Sequence, residues 1–268
     1  MEEFSYSITN IAATLAGALG ISKPAHAEMP VGFLADYFTR ELSGLNAERM
    51  LLFSPDSIAA WLIPKYGRWF GPVYKHTRIT VPLRAVLPSV TPVCFASIYS
   101  GAAPDVHGIR EYCKPVLTVD TLFDALIRAG KRVAIFARTD CSMAKIFLNR
   151  DMDYHIYDSD RDITKKAAEC IKNDNYDVMA VYHLDYDAFD HATHPESDEV
   201  LAALQASIKD FDFLANIAAG SWSMYRRVIG FITDHGCHMD EITGHGTHGS
   251  DMDEDLNILH FYGAYPCI

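Results

Sequence analysis

The chain has 268 residues, with 35 acidic against 23 basic side chains and a formal net charge of −12 when histidine is counted neutral. At 49% hydrophobic and 22% charged residues it has the composition of a folded globular protein, which excludes a disordered or collagen-like chain. The acidic balance also excludes a nucleic-acid track, which needs a basic face to displace counterions from phosphates, but it leaves room for a small anion held through metal ions that reverse the charge locally.

Residues 11–20 are apolar and small, and Ala25-His26-Ala27 follows, the outline of a secretory leader. The residues ahead of it include Glu2 and Glu3 and no lysine or arginine, the wrong charge for a leader, so the segment is expected to belong to the folded protein. Met50-Leu51-Leu52-Phe53 and residues 133–137, 178–182 and 228–232 are short apolar runs that predict buried strands. Helical spacing predicts helices over residues 121–129, ended by Gly130, and over 199–219, ended by Gly220. In the latter, Leu201, Leu204, Ile208 and Phe211 are expected to face the sheet.

Strands separated by helices imply an α/β fold, a mostly parallel sheet covered on both faces. With no linker or internal repeat, residues 1–268 read as one domain. No apolar run reaches the roughly 18 to 20 residues that cross a bilayer, so a soluble protein without a membrane partner is expected. The six cysteines are scattered without a CxxC pair, which fits a reduced, cytoplasmic protein.

Three of the strands run into carboxylates: Asp56 after the first, Asp185 and Asp187 after the third, Asp234 after the fourth. Ligands of open α/β sheets bind beyond the carboxyl ends of strands, so these acids lie where a site would form. Seven of the 12 histidines cluster there too: His183, His191 and His194, then His235, His238, His245 and His248. Carboxylate oxygen with imidazole nitrogen is a ligand set for zinc, manganese or iron. Asp187 and His191 are four apart and share a face if that segment is helical.

Thr91-Pro92 reads as an N-cap followed by proline at the first helical position, with Gly101 as the stop. The free amides of Val93 and Cys94 would then favour an anion beside the Thr91 hydroxyl. Thr91 is thus either a helix cap or a nucleophile for phosphoryl transfer. Trp61, Tyr66, Trp69 and Phe70 are assigned to packing, and Asp251, Asp253, Glu254 and Asp255 to a solvated acidic loop close enough to His248 for a supporting role.

The run from Thr91 to Ile109 resembles the nucleophile segment of the alkaline phosphatase superfamily, in its type I phosphodiesterase/nucleotide pyrophosphatase branch. Asp187-x-x-x-His191-x-x-His194-Pro195, Thr233-Asp234-His235-Gly236 and Gly246-Thr247-His248-Gly249 are similar to that branch's later motifs, in the same order. The resemblance implies an alkaline-phosphatase-like fold and a single catalytic domain with little or no cap insertion. It implies two divalent metal ions, zinc first with manganese or iron as alternatives. Asp187, His191 and His248 would hold one, Asp56, Asp234 and His235 the other, and Thr91 would bridge toward the second as nucleophile.

The implied activity is hydrolysis of a small phosphate ester through a phosphothreonine intermediate. Phosphodiester or pyrophosphate cleavage comes first; a phosphomonoesterase, a phosphonate hydrolase or a non-catalytic metal-binding module on the same fold are the alternatives. Asp187 is preferred to Asp185 because only it keeps the four-residue step to His191. Cys94 stands where the branch has a phosphoryl-contacting asparagine, and Arg110 is the nearby side chain able to replace that contact, so both are candidate substrate contacts. His235 and His248 are 13 positions apart, where nucleotide pyrophosphatase relatives insert a long stretch. A site so lightly covered would admit a bulky ester or be covered by a second copy of the chain.

Overall fold

The computed structural model describes residues 4–267; Glu2 and Glu3, which carry the argument about the leader, lie outside them. Among the described residues ten strands form: β1 (Tyr6–Ser7), β2 (Arg49–Pro55), β3 (Ile79–Arg84), β4 (Val133–Arg138), β5 (Asp153–Tyr157), β6 (Val178–His183), β7 (Arg227–Phe231), β8 (His238–Met239), β9 (Gly246–Thr247) and β10 (Asn257–Tyr265). Eight make one sheet in the order β1-β3-β10-β7-β2-β6-β4-β5, and β8 and β9 form a separate small hairpin. Only β10 runs antiparallel to its neighbours β3 and β7; the other pairings in the large sheet are parallel.

The central strands are apolar at successive positions because both faces are covered. Met50 and Leu52 of β2 belong to one core cluster with Leu15, Phe38 and Phe95, while Leu51 and Phe53 belong to the other with Ile163, Leu204 and Trp222. Leu204, Ile208 and Phe211 are buried against the second face, and Leu201 is half-buried. The apolar stretch near the start is the helix Ile11–Ala18, with Ile11, Ala12, Leu15 and Ala16 fully buried. No helix among the described residues is long and apolar enough to cross a membrane.

Of the two predicted helices, one keeps its punctuation and the other lengthens. Thr121 caps the helix Leu122–Arg128 in a capping box with Asp124, and Gly130 supplies the left-handed turn after it at φ 70°, as the sequence suggests. The long helix Asp198–Ser221, however, starts at the Ser197 cap and passes through Gly220. Gly220 needs no left-handed conformation there, and the turn comes at Trp222, whose buried ring anchors the helix end.

Candidate metal centre

The central order β7-β2-β6 determines what meets above the sheet. Three adjacent parallel strands end side by side, so the residues after them converge: Asp56 after β2, Asp234 and His235 after β7, and the helix Asp185–Ala192 after β6. That helix places Asp187 and His191 one turn apart on a shared face, as their four-residue step requires. The β8–β9 hairpin then brings His248 back over the same edge.

Two groups of three result, Asp56, Asp234 and His235 in one and Asp187, His191 and His248 in the other; within each, the ligand atoms lie within 4.8 Å of one another. In the first, His235 Nε2 is 3.5 Å from Asp56 Oδ1 and 3.3 Å from Asp234 Oδ2. In the second, Asp187 Oδ1 is 3.5 Å from His191 Nε2 and 3.4 Å from His248 Nε2, and the two Nε2 atoms are 3.0 Å apart. Thr91 Oγ1 sits 3.4 Å from both Asp56 Oδ2 and His235 Nε2.

All three imidazoles are oriented by backbone carbonyls on their other nitrogen: His191 Nδ1 on Gly246 O (3.1 Å), His235 Nδ1 on Gly236 O (2.9 Å), His248 Nδ1 on Ser89 O (2.8 Å). Nδ1 therefore carries the proton in the neutral ring and the Nε2 lone pair points inward. Facing those lone pairs are Asp56 Oδ1, Asp187 Oδ1 and Asp234 Oδ2, each buried with no hydrogen-bond partner. Acceptors aimed at acceptors in a dry site repel one another, and a cation removes the conflict. Oxygen and nitrogen donors in sets of three fit zinc, manganese or iron.

The charges show the same frustration. Burial, then the negative charges of Asp234 and Asp187, push the Asp56 carboxyl well above the usual range. Burial raises Asp234 to about 7 and lowers His235 to about 3. For Asp187 burial pushes upward, but the contact with His248 and the imidazoles around it outweigh this and hold the carboxyl low; the same contact holds His248 above its ordinary value despite burial.

Thr91 differs in one respect from its sequence reading. It is the first residue of the helix Thr91–Ser100, and Val90 occupies the cap position with no side-chain capping bond. The Thr91 hydroxyl is therefore not spent on capping. The amides of Val93 and Cys94 are not free either, since both donate to Val90 O at 3.0 Å. Pro92 has no amide hydrogen, so in this first turn the Thr91 amide is the one without a backbone acceptor.

Asp185 does not join the site: it accepts from Arg138 Nη1 at 2.7 Å. Cys94 is fully buried with its thiol 3.9 Å from Val86 O, and burial, then the charge of Asp234, raise its pKa well above normal. It lies beneath the centre and has no hydrogen bond to Thr91 or to the six ligand candidates. Arg110 is a surface residue paired with Asp105 at 3.0 Å. It makes no hydrogen bond or ion pair with Thr91 or the six ligand candidates among the described residues.

His194 is exposed and, with Trp61 and His238, lines a cavity of about 850 Å³ beside the centre. Asp255, read as part of a solvated loop, is fully buried, accepting from Ser250 N at 2.8 Å and bonded to His238 Nδ1 at 2.6 Å. It braces the hairpin that carries His248.

Sequence reasoning missed Tyr182, whose hydroxyl donates to Asp56 Oδ2, and Ser57, whose amide donates to Asp234 Oδ1 at 3.2 Å. A phenol in an otherwise apolar buried strand was the available signal for Tyr182; the backbone amide of Ser57 left none. Gly246 was read only as part of a motif. Its carbonyl orients His191, and a Cβ there would fall 1.9 Å from Asp190 Oδ1.

No family model and no curated protein sequence matches the chain. Solved structures do match its fold. Human ectonucleotide pyrophosphatase/phosphodiesterase 5 superposes with a TM-score of 0.60 at 13% identity, over 81% of this chain and 88% of that one. Phosphonoacetate hydrolase from Sinorhizobium meliloti gives 0.52 at 16% identity, over 71% of this chain and 57% of that one. The zinc complex of the C-terminal periplasmic domain of EptC from Escherichia coli gives 0.52 at 12% identity, over 83% and 74%. The chain thus spans little more than half the length of the phosphonoacetate hydrolase. The architecture is alkaline-phosphatase-like, a central, mostly parallel sheet with helices on both faces.

Proposed function

We propose that the protein is a hydrolase of small phosphate esters that uses Thr91 as nucleophile beside two divalent metal ions, with phosphodiesters or pyrophosphates as its first substrate class. The observation that carries this reading is the Thr91 hydroxyl: uncommitted to capping, at a helix start, and 3.4 Å from both Asp56 and His235. A hydroxyl at the edge of two ligand sets, with an amide dipole behind it, suits in-line attack on phosphorus. Support also comes from proteins of this fold described as a human pyrophosphatase/phosphodiesterase and a phosphonoacetate hydrolase, and from a murine ectonucleotide pyrophosphatase/phosphodiesterase 5 described as an inactive threonine-to-alanine variant in complex with AMP.

Asp56, Asp234 and His235 would hold one ion and Asp187, His191 and His248 the other. Bound there, divalent cations supply Lewis acidity and neutralise charge on phosphoryl oxygens. The chain's own part is positional. Tyr182 and the Ser57 amide fix Asp56 and Asp234, three backbone carbonyls aim the imidazoles, and the Thr91 oxygen is held against Asp56 and His235. Attack by Thr91 Oγ1 forms the new O–P bond as the bond from phosphorus to the leaving-group oxygen breaks, the Thr91 proton passing to water and the leaving group taking a proton from water; a water molecule then displaces Thr91 from phosphorus, regenerating the hydroxyl and releasing product with retained configuration.

The test pairs metal analysis of the purified protein with hydrolysis of an aryl phosphodiester, an aryl phosphomonoester and phosphonoacetate. Expected are two equivalents of metal, the fastest turnover on the diester, and loss of turnover in Thr91→Ala with metal retained. A metal-free protein, or a Thr91→Ala variant as fast as the parent, overturns the reading.

A further inference from the structure

At the other end of β7 from the metal centre, a cavity of about 250 Å³ is lined by Lys75, His76, Arg78, Asn216, Arg227 and Tyr265, with small apolar residues between them and no carboxylate on its wall. Four basic side chains around one hollow are unexpected in a chain of net charge −12. Asp212, just outside the wall, balances two of them, bonding Lys75 at 3.1 Å and His76 at 2.7 Å. Arg78 and Arg227 have no carboxylate within 4.0 Å among the described residues.

The unusual member is Arg227. It is only 5% exposed, and its Nε is buried without a hydrogen-bond partner. Of its five donors one is used, a long 3.4 Å bond from Nη1 to Trp222 O, and the guanidinium otherwise rests 4.9 Å from the Tyr265 ring centroid. Its register partner on β2 makes the contrast. Arg49 stands directly beside Arg227 in the sheet and is equally buried, yet it meets Asp174 at 2.6 and 2.7 Å and Asp177 at 3.0 Å. Two arginines at the same level of neighbouring strands thus have opposite provision, one with two carboxylates and one with none. A buried, uncompensated guanidinium is costly, and a planar fork of free donors matches an oxyanion.

We propose that this cavity is a binding site for a small phosphate-sized oxyanion, held by Arg227 from within and by Arg78 at the exposed rim. The Tyr265 hydroxyl is committed to His76 O at 3.0 Å, so its ring serves as the apolar wall between the two guanidinium groups. The site is separate from the metal centre and does not depend on the activity proposed there.

Inorganic phosphate is the probe, added to the full-length protein in EDTA, so that metal-mediated binding at the other end of the sheet is abolished, with chloride at matched ionic strength as control. A ligand that binds only the native state raises Tm with a saturable dependence on concentration. The parent is expected to show that rise; Arg227→Met is expected to lose it, and Arg78→Gln to bind at least tenfold more weakly by calorimetry. If phosphate does no more than chloride, or if either variant binds like the parent, the proposal fails. Arg78 is exposed, so its variant decides the matter even if Arg227→Met does not fold.

Discussion

The two ligand groups differ in how the fold encloses them. Asp56, Asp234 and His235 have no solvent exposure and sit directly on the ends of β2 and β7, held by a neighbouring strand and the loop after β2. In the other group Asp187 is buried, but the His191 side chain is 45% exposed, and both histidines depend on the hairpin and the helix after β6. The inner set is built by the sheet itself, and the outer set by elements resting on it. Removing an inner ligand therefore disturbs charges that cannot reach water, whereas removing an outer one exposes a group that can.

The largest effect is expected from Asp234→Ala. Loss of an inner carboxylate should lower kcat/KM on the aryl diester by about a thousandfold or more, the scale at which charge stabilisation at a phosphoryl centre operates, and should remove about one metal equivalent. His191→Ala should also cost one equivalent while leaving the metal-free thermal stability within about 0.5 kcal/mol, as for other exposed positions. Equal loss of metal-free stability in the two variants would erase the distinction between the groups.

Gly246→Ala acts on the outer set alone. The added methyl meets the buried Asp190 carboxylate, so that side chain or the hairpin must give, and a shift of the hairpin takes with it the carbonyl that aims His191 and, two residues on, His248. Metal affinity of the outer group should fall about 10- to 100-fold, the usual scale for a lost orienting contact, with the inner equivalent retained. Shortening the obstruction in a Gly246→Ala, Asp190→Ala pair should restore part of it; isothermal titration with zinc reads both outcomes. Tyr182→Phe is the inner counterpart: it strips a donor from Asp56 and should cost about 1 to 3 kcal/mol in the binding of the inner ion alone.

The same contrast explains what could be read from the sequence. The strands that build the inner set, β2, β6 and β7, are apolar on both faces and announce themselves, and so do the acids that follow them. The edge strand β5 does not, being Asp-Tyr-His-Ile-Tyr with two exposed positions; nor does β10, which lies inside the sheet between β3 and β7 but carries His260 and Gly263 among its apolar residues. The outer set is legible as the Asp187-to-His191 spacing and, through the resemblance, as His248, but the carbonyls of Gly246 and Ser89 that aim its histidines are encoded by no side-chain pattern. Thr91 was misread as a cap because Thr-Pro suits that role locally, yet the extended Val90 ahead of it takes the position. Asp255 was sealed by a hairpin whose course the acidic run around it does not reveal.

The smallest and most discriminating effect is in pH. In metal-free protein His235 titrates near 3, below the 6.5 of an unfolded histidine, because burial disfavours its charge. The stability it represents is complete above 6.5 and is lost as pH falls toward 3, so from pH 7 to 6 it costs about 0.7 kcal/mol by linkage. His248 is displaced the other way, upward, by Asp187; its contribution is complete below 6.5 and fades as pH rises through the folded value. The two slopes oppose each other. His235→Asn should therefore flatten the acid-side loss of thermal stability in EDTA, while His248→Asn should steepen it. Loading with zinc should separate them further, because a metal ligand must be neutral: His248 would then favour the folded protein more as pH rises, reversing its sign, while His235 keeps the sign that burial already imposes. If both variants shift the metal-free pH profile in the same direction, the inner and outer histidines do not have the distinct environments described for them.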